Sequence, residues 1–325
     1  DPVLRQNDVL GPVHRDVDNL APRIGLAFVP ESQSAFLRRM LGEGQTVIRA
    51  GYSFQYDVVF LNMLSATAGN YPRALKYDVL PPESNNLFPT LQPRPDRLPA
   101  FDPLRFPFAN MAADLQSPTS HQWLFIVQRQ FGTRQFVELG YVGNRSYHLL
   151  RQTERNPGLL STAQAATVIG GGVIPGLQER RLNPGWASRV VAESSAVSKY
   201  HSLFLRHHQD LANGLRADIS FTWSGAFSDN DEALAVSDIA LSSPQVPQNV
   251  FDYRNEWSRS IFDRPLRFSA VYTYELSPLA GVLVGHSIAH EILSGWKTSG
   301  SVEWQSGQPF TVVTGLDSGG SRVTG

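Results

Sequence analysis

Cysteine is absent from the 325-residue chain, so neither a disulfide framework nor a thiolate metal or redox site can be built from it. Its absence leaves the compartment open, because exported and cytosolic chains can both lack it. An excess of charge of one sign is absent too. The 28 Lys and Arg balance 29 Asp and Glu to a net charge of −1, which removes the electrostatic case for a nucleic-acid partner or a generally anionic surface. Charged residues reach only 18%, below the roughly one quarter usual in soluble proteins. Long apolar runs are missing as well. The best, residues 276–293, is interrupted by Pro278, His286, His290 and Glu291, and a membrane helix needs about 18 or more uninterrupted positions. The first residue is Asp1 and the last residues are rich in Gly and Ser. The expectation is a fragment or a processed chain, in which an N-terminal export signal would not be visible.

What the chain does have is alternation. From Leu215 to Ser228 one set of alternate positions reads Leu215, Ala217, Ile219, Phe221, Trp223, Gly225 and Phe227. The interleaved set reads Arg216, Asp218, Ser220, Thr222, Ser224, Ala226 and Ser228. Successive strand side chains point to opposite faces, so the segment predicts a strand with one apolar and one polar face. Asn213-Gly214 before it is a dipeptide suited to the φ > 0 positions of a tight hairpin.

Further β-like segments fall in pairs. Residues 22–30 set Ile24, Leu26 and Phe28 against Arg23, Gly25 and Ala27, and residues 46–57 set Ile48, Ala50, Tyr52 and Phe54 against Arg49, Gly51, Ser53 and Gln55. Residues 121–131 and 134–150 are joined through Gly132-Thr133. Residues 200–211 alternate more weakly, with Arg206-His207-His208-Gln209 polar on both faces. Residues 265–276 alternate cleanly, and residues 296–312 close the series. Between them lie three long tracts, 58–119, 151–199 and 229–264, read as loop. The first holds ten of the 22 prolines, each of which removes a ladder donor.

Connections therefore run short, long, short, long, short, long and finally medium along the chain. A soluble sandwich keeps its connections short at both ends, with strands every 8–12 residues or so. A transmembrane barrel has short periplasmic turns and long outer loops. Aromatics near the strand ends, such as Tyr52, Trp123, Trp223, Tyr272, Tyr274 and Trp304, suit interfacial girdles. The expected fold class is all-β, an antiparallel transmembrane β-barrel segment of about eight strands with long extracellular loops.

The segments Ala21-Pro-Arg-Ile-Gly-Leu-Ala-Phe28, Thr46-Val-Ile-Arg-Ala-Gly-Tyr-Ser-Phe-Gln-Tyr-Asp57 and Val137-Glu-Leu-Gly-Tyr-Val-Gly-Asn-Arg145 resemble the barrel of Oar-like TonB-dependent outer-membrane receptors. So do Tyr200-His-Ser-Leu203, Gly214-Leu-Arg-Ala-Asp-Ile-Ser-Phe-Thr-Trp223, Phe262-Asp-Arg264, Arg267-Phe268, Tyr272-Thr-Tyr-Glu-Leu276, Gly295-Trp-Lys-Thr-Ser-Gly300 and Gln305-Ser-Gly-Gln-Pro-Phe-Thr-Val312. The chain departs from the family pattern at Arg206-His-His-Gln209 and in the longer connection 277–294. The resemblance implies a barrel of about 22 strands, a plug threaded inside it, and an N-terminal carboxypeptidase-regulatory-like domain. It also implies import driven by the TonB–ExbB–ExbD complex. On this expectation residues 1–325 are part of the barrel domain, and the regulatory-like domain, plug and C-terminal strands are absent from the chain. The implied location is the outer membrane of a Gram-negative-type bacterium, with outer-membrane lipid around it.

The reasonable carriers of function are the polar positions that would face a lumen or plug: Arg49, Gln55, Glu138, Arg216, Asp218, Arg267, Glu275 and Glu303. In a low-dielectric wall such groups pair with one another or contact the plug, and pairing is the preferred reading for any one of them. Four other motifs are weighed and set aside. Gly285-His286-Ser287-Ile288-Ala289 resembles a nucleophile elbow, but its last glycine is replaced and no later acid–His pair follows in the required order; a periplasmic turn is preferred. His207-His208 are adjacent on a strand and point apart, which disfavours a shared metal. The acidic residues 229–232 lack the spacing and turn glycine of a calcium loop and read as a solvated strand end. Gly170-Gly171-Gly172 lacks the Lys-Ser/Thr of a phosphate loop and reads as flexible loop.

The expected function is energised uptake of a scarce solute, an oligosaccharide, peptide or metal chelate, with no cofactor, no catalysis and no nucleic acid. The alternative is a surface barrel for adhesion or surface assembly with little transport. A soluble β-rich hydrolase rests on Ser287 alone.

Overall fold

The computed structural model describes residues 16–58, 102–104, 108–211, 214–231, 247, 249–276 and 295–310. Ten strands form one sheet. They are β1 (Arg23–Phe28), β2 (Thr46–Tyr56), β3 (Phe108–Met111), β4 (Thr119–Phe131) and β5 (Gln135–Glu154), followed by β6 (Arg189–Asp210), β7 (Leu215–Ser228), β8 (Ser258–Arg259), β9 (Leu266–Glu275) and β10 (Lys297–Gln305). The order β1-β2-β4-β5-β6-β7-β9-β10 is an antiparallel meander, with β3 parallel to the start of β6 and β8 beside the end of β7. The sheet is open, and β1 and β10 are its two edges among the described residues.

Register converts the alternation of single strands into two continuous faces. Ile48 stands opposite Val127, Val127 opposite Leu139, Leu139 opposite Leu205, Leu205 opposite Phe221, Phe221 opposite Phe268, and Phe268 opposite Trp304. This is one apolar row across seven strands. Apolar and aromatic side chains dominate the rows on either side of it. A soluble antiparallel sheet packs such a face against a core. Here it is bare, with Trp223 61% and Trp304 54% exposed. An apolar face with nothing packed on it matches a sheet whose outer solvent is lipid.

Two glycines let large rings lie flat on the sheet. A Cβ at Gly143 would fall 2.3 Å from the Trp123 indole on the apolar face, and one at Gly140 would fall 2.2 Å from the Phe204 ring on the polar face. Each ring covers the backbone that the missing side chain leaves exposed.

The short connections all lie at one end of the sheet. Residues 132–134 turn β4 into β5, with Gly132 at φ 63°, and residues 211–214 turn β6 into β7. In the second turn Gly214 takes φ 84° and donates its N–H to the Leu211 carbonyl at 3.1 Å, while Leu211 donates to Leu215 at 2.7 Å. Asn213 lies outside the described residues. At the same end, residues 29–45 join β1 to β2 and hold helix α1 (Ala35–Leu41). The three longest connections, β2 to β4, β5 to β6 and β7 to β9, lie at the opposite end, whereas β9 and β10, whose ends Glu275 and Lys297 stand opposite each other, are joined at the short-turn end through a connection of intermediate length.

That opposite end is more structured than the composition implies. β5 has 20 residues and β6 has 22, whereas about 9–11 suffice to cross a bilayer. The surplus projects beyond the apolar band as a two-stranded arm. The register slips between Ser146 and Leu149 and again before Arg151, and His148 takes φ 55° inside that irregularity. A bulge bends a strand and re-aims its side chains, and this one marks where the arm begins. Beyond it Leu150, Val190, Val191, Ala192 and Ala196 join Met111, Ala112 and Leu115 in the apolar core of the described residues. The tract 151–199, expected as loop, is thus strand at both ends. Its alternation is lost because the consecutive residues Val190, Val191 and Ala192 are all buried, with β3 paired along their edge. Within it, Gly170–172 follow helix α2 (Thr162–Ile169), which starts at a Ser161–Gln164 capping box. Gly170 caps the helix and Gly171, at φ 75°, carries the chain away from it.

Phe221 sits in the middle apolar row and Thr222 faces Arg267 on the other side. Phe221→Arg is expected to cost roughly 2–4 kcal/mol of folding stability in a bilayer, while Thr222→Glu costs far less. Denaturant titration of the two variants folded into liposomes measures the difference, and equal costs would contradict the assignment of faces.

Candidate functional site

All eight polar positions singled out from the sequence stand on one face. Arg49 lies opposite Ile126, Gln55 opposite Ser120, Glu138 opposite Gln128 and Arg206, Arg216 opposite Asp210, Asp218 opposite His208, Arg267 opposite Thr222, Glu303 opposite Ser269, and Glu275 opposite Lys297. Their shared orientation follows from strict pairing through the intervening strands, since a one-residue slip would send a whole strand's set to the lipid side.

Five of the eight are engaged. Glu138, 6% exposed, is held between Gln128, whose amide donates to Oε2, and Arg206, whose Nη1 donates to Oε1 at 3.0 Å. Arg206 also lies over the Phe204 ring at 4.8 Å, so this group of residues includes the ring that covers Gly140. Asp218 Oδ1 meets His208 Nδ1 at 2.6 Å, and the imidazole stacks on Phe136. Arg216 approaches Asp210 at 3.5 Å, and Lys297 pairs with Glu275 at 2.9 Å. Gln55 donates to Gln122 at 3.3 Å. Arg49, Arg267 and Glu303 are exposed and make no ion pair among the described residues. Where a charge is least exposed, at Glu138, it has both a cation and an amide, as burial in a low dielectric requires.

His207 and His208 do point to opposite faces: His207 Nε2 meets Gln209 Oε1 at 3.1 Å on the apolar side. Gln128, Arg206, His208 and Lys297 were missed as members of the polar face. Their partners show why, because each is identified by what stands across the ladder rather than by its own strand.

A second polar assembly sits in the arm. Glu154 accepts the N–H of Asn156 at 2.7 Å and of Arg189 at 2.8 Å, accepts the Ser188 hydroxyl, and lies 3.5 Å from Arg181. Asn156 in turn donates its amide to the carbonyls of Asn183, Trp186 and Ala187, each at 3.0 Å, and so ties down the loop that leads into β6. Glu193 accepts from Thr153 at 3.1 Å, Ser195 at 2.7 Å and Tyr253 at 2.9 Å, and pairs with Arg155. Burial raises the Tyr253 phenol above its ordinary range, which keeps it protonated as a donor. Fully buried Arg151 pairs with Asp229 at 2.8 Å and lies 3.9 Å from the centre of the Tyr253 ring.

Asp229 therefore anchors the arm to the end of β7, also accepting the Val197 N–H at 2.8 Å, and is not a solvated strand end. Asp231 accepts from Ile261 at 2.8 Å. The sequence concealed this assembly because Arg151-Gln-Thr-Glu-Arg155 has no apolar alternation and reads as loop until its charges are matched to residues 27–78 positions away. Ser287 and its neighbours lie outside the described residues.

A family model described as "outer membrane beta barrel domain" matches residues 6–325. Among solved structures, the chain is similar to the outer membrane transporter YddB from Escherichia coli, with 12% identity and a TM-score of 0.40, over 75% of this chain and 26% of that one. The chain thus spans about a quarter of that protein's length. Comparison with curated proteins finds no match.

Arg151→Met leaves Asp229 buried beside an uncharged chain, and removal of one member of a buried pair costs about 3–5 kcal/mol. The expected outcome is selective: limited proteolysis cleaves the arm of Arg151→Met while the membrane-embedded strands stay protected. Asp229→Leu added to Arg151→Met recovers much of the resistance. Loss of the whole fold in the single variant would contradict a separately stabilised arm.

Proposed function

The chain belongs to the outer membrane β-barrel domain family and lies in the bacterial outer membrane, and from that premise we propose that it is the barrel part of a TonB-dependent receptor that takes up a scarce solute. The observation that carries the reading is the gathering of both tight turns at one end and the three longest connections at the other, with one polar face running across all eight meander strands. In a closed barrel, proposed at about 22 strands, that face lines a lumen wide enough for a plug. The engaged groups, Glu138, Asp218, Arg216, Glu275 and Gln55, would hold the wall, and the exposed Arg49, Arg267 and Glu303 would meet plug or solute. The chain carries out no covalent chemistry in this reading. Energy would come from the TonB–ExbB–ExbD complex acting through an N-terminal segment and the plug.

A second reading, adhesion or surface assembly, has one observation in its favour. The arm at the long-connection end is a folded platform with its own buried ion pair, more than a transport mouth requires.

Cells producing the full-length protein, with and without TonB, separate the two. Labelled oligosaccharides, peptides and metal chelates are first screened for surface binding. Transport predicts that accumulation of a bound probe falls to background without TonB while surface binding persists. Unchanged accumulation of every bound probe favours adhesion, and an upstream reading frame with no plug would sink the transport reading.

A further inference from the structure

One row of the outward face does not fit a lipid-facing surface. Following the ladder one step beyond the Tyr52–Trp123 level, Phe54 stands opposite His121, His121 opposite Arg145, Arg145 opposite Lys199, Lys199 opposite Phe227, and Phe227 opposite Arg259. Arg145 and Lys199 are thus directly paired like charges, with Cβ atoms about 5 Å apart, an arrangement that destabilises a sheet unless something neutralises it. No carboxylate among the described residues does so. Asp263 is taken by Arg259, Asp229 by Arg151, and Asp16 by the Ser117 N–H at 2.6 Å. Both cations are exposed.

The height of the pair says what should neutralise it. From Lys199 down β6 to Gln209 is about ten residue steps, which at roughly 3.3 Å each and a tilt of about 40° gives ~25 Å. That is the thickness of the apolar band, so the pair lies one band height above the polar row at the short-connection end. The backbone irregularity at His148 begins just above it. Rings flank the cations on several sides. Arg145 lies 5.0 Å from the Tyr147 ring, Trp257 stacks on Phe227, and Tyr141 and Tyr52 share hydrogen bonds with His201 and His121 at 2.6 and 2.7 Å. Amphipathic rings of this kind settle at headgroup level.

We propose that Arg145 and Lys199 clamp a phosphate headgroup of an outer-leaflet lipid, on the outside of the barrel at the boundary between band and arm. The guanidinium can offer two parallel N–H donors and the ammonium a mobile point charge, a suitable pair for a tetrahedral dianion. The lipid's acyl chains would run down over the apolar rows that begin with Trp123 and His201. The bound lipid would relieve the like-charge repulsion and fix the foot of the arm, so it has a structural consequence independent of which solute the protein handles.

The test uses the full-length protein extracted in a neutral alkyl glycoside and titrated with bisphosphorylated lipid A, dephosphorylated lipid A or inorganic phosphate, with occupancy read by native mass spectrometry. Folding of each variant is checked first by heat-modifiable migration. The parent is expected to retain the phosphorylated lipid at least tenfold more tightly than the dephosphorylated one and to hold no free phosphate. Arg145→Gln with Lys199→Gln loses that preference, and Arg145→Lys with Lys199→Arg keeps it. Arg134→Gln, in the turn at the other end, changes nothing. If the double variant does not fold, the single exposed variants Arg145→Gln and Lys199→Gln must each weaken retention at least threefold. Undiminished retention by the neutral variants, equal binding of the dephosphorylated lipid, or equally tight binding of free phosphate would each overturn the proposal.

Discussion

A strand that crosses lipid has no water to satisfy its amides, so every N–H and C=O in the band must be bonded by a neighbouring strand. That constraint determines the rest of the molecule. It demands uninterrupted pairing, and uninterrupted pairing with a side-chain period of two sends each residue irrevocably to lipid or to the interior. The apolar row from Ile48 to Trp304 and the polar face from Gln55 to Glu303 are two consequences of one register. The same constraint explains the glycines under Phe204 and Trp123. A ring laid over a bare backbone shields hydrogen bonds without displacing a neighbour's Cβ, and so permits bulky side chains on a continuously paired sheet.

Above the band the constraint relaxes, and the chain changes its chemistry at that level. The bulge at His148 ends the regular ladder, and the arm beyond it is built as a small soluble protein would be, with Val191 and Leu150 buried beside the charged centres of Glu154, Glu193 and Arg151. Charges that would be prohibitive in lipid become hubs there, because several donors converge on each carboxylate. On the lumen side charge is handled differently, by short pairs such as Lys297–Glu275 and His208–Asp218 that remain open to water.

Much of the band was legible in the sequence, because alternation over β2, β7 and β9 survives wherever one face meets lipid and the other does not. The sorting of Arg49, Asp218 or Glu303 to one face was legible for the same reason. Their partners were not. Glu138 meets Arg206, 68 positions away, and nothing local in either strand specifies the other. The arm was the least legible part, since consecutive buried residues, such as Val190 and Val191, lose alternation, and polar runs such as 151–155 look like loop. Proline in the tract before Thr119 also hid β3, whose four residues lie beside the start of β6.

Residues 1–325 contain no cysteine, so once any cysteine elsewhere in the full-length protein is replaced by serine, the central claim, that period-two alternation divides lipid from interior, can be measured without background. Single cysteines placed at each position from 217 to 224 are spin-labelled in the full-length protein in liposomes, and collision rates with oxygen and with a water-soluble nickel chelate are recorded. Oxygen should dominate at 217, 219, 221 and 223 and the chelate at 218, 220, 222 and 224. Equal profiles at odd and even positions, or a period nearer 3.6 than 2, would contradict the account.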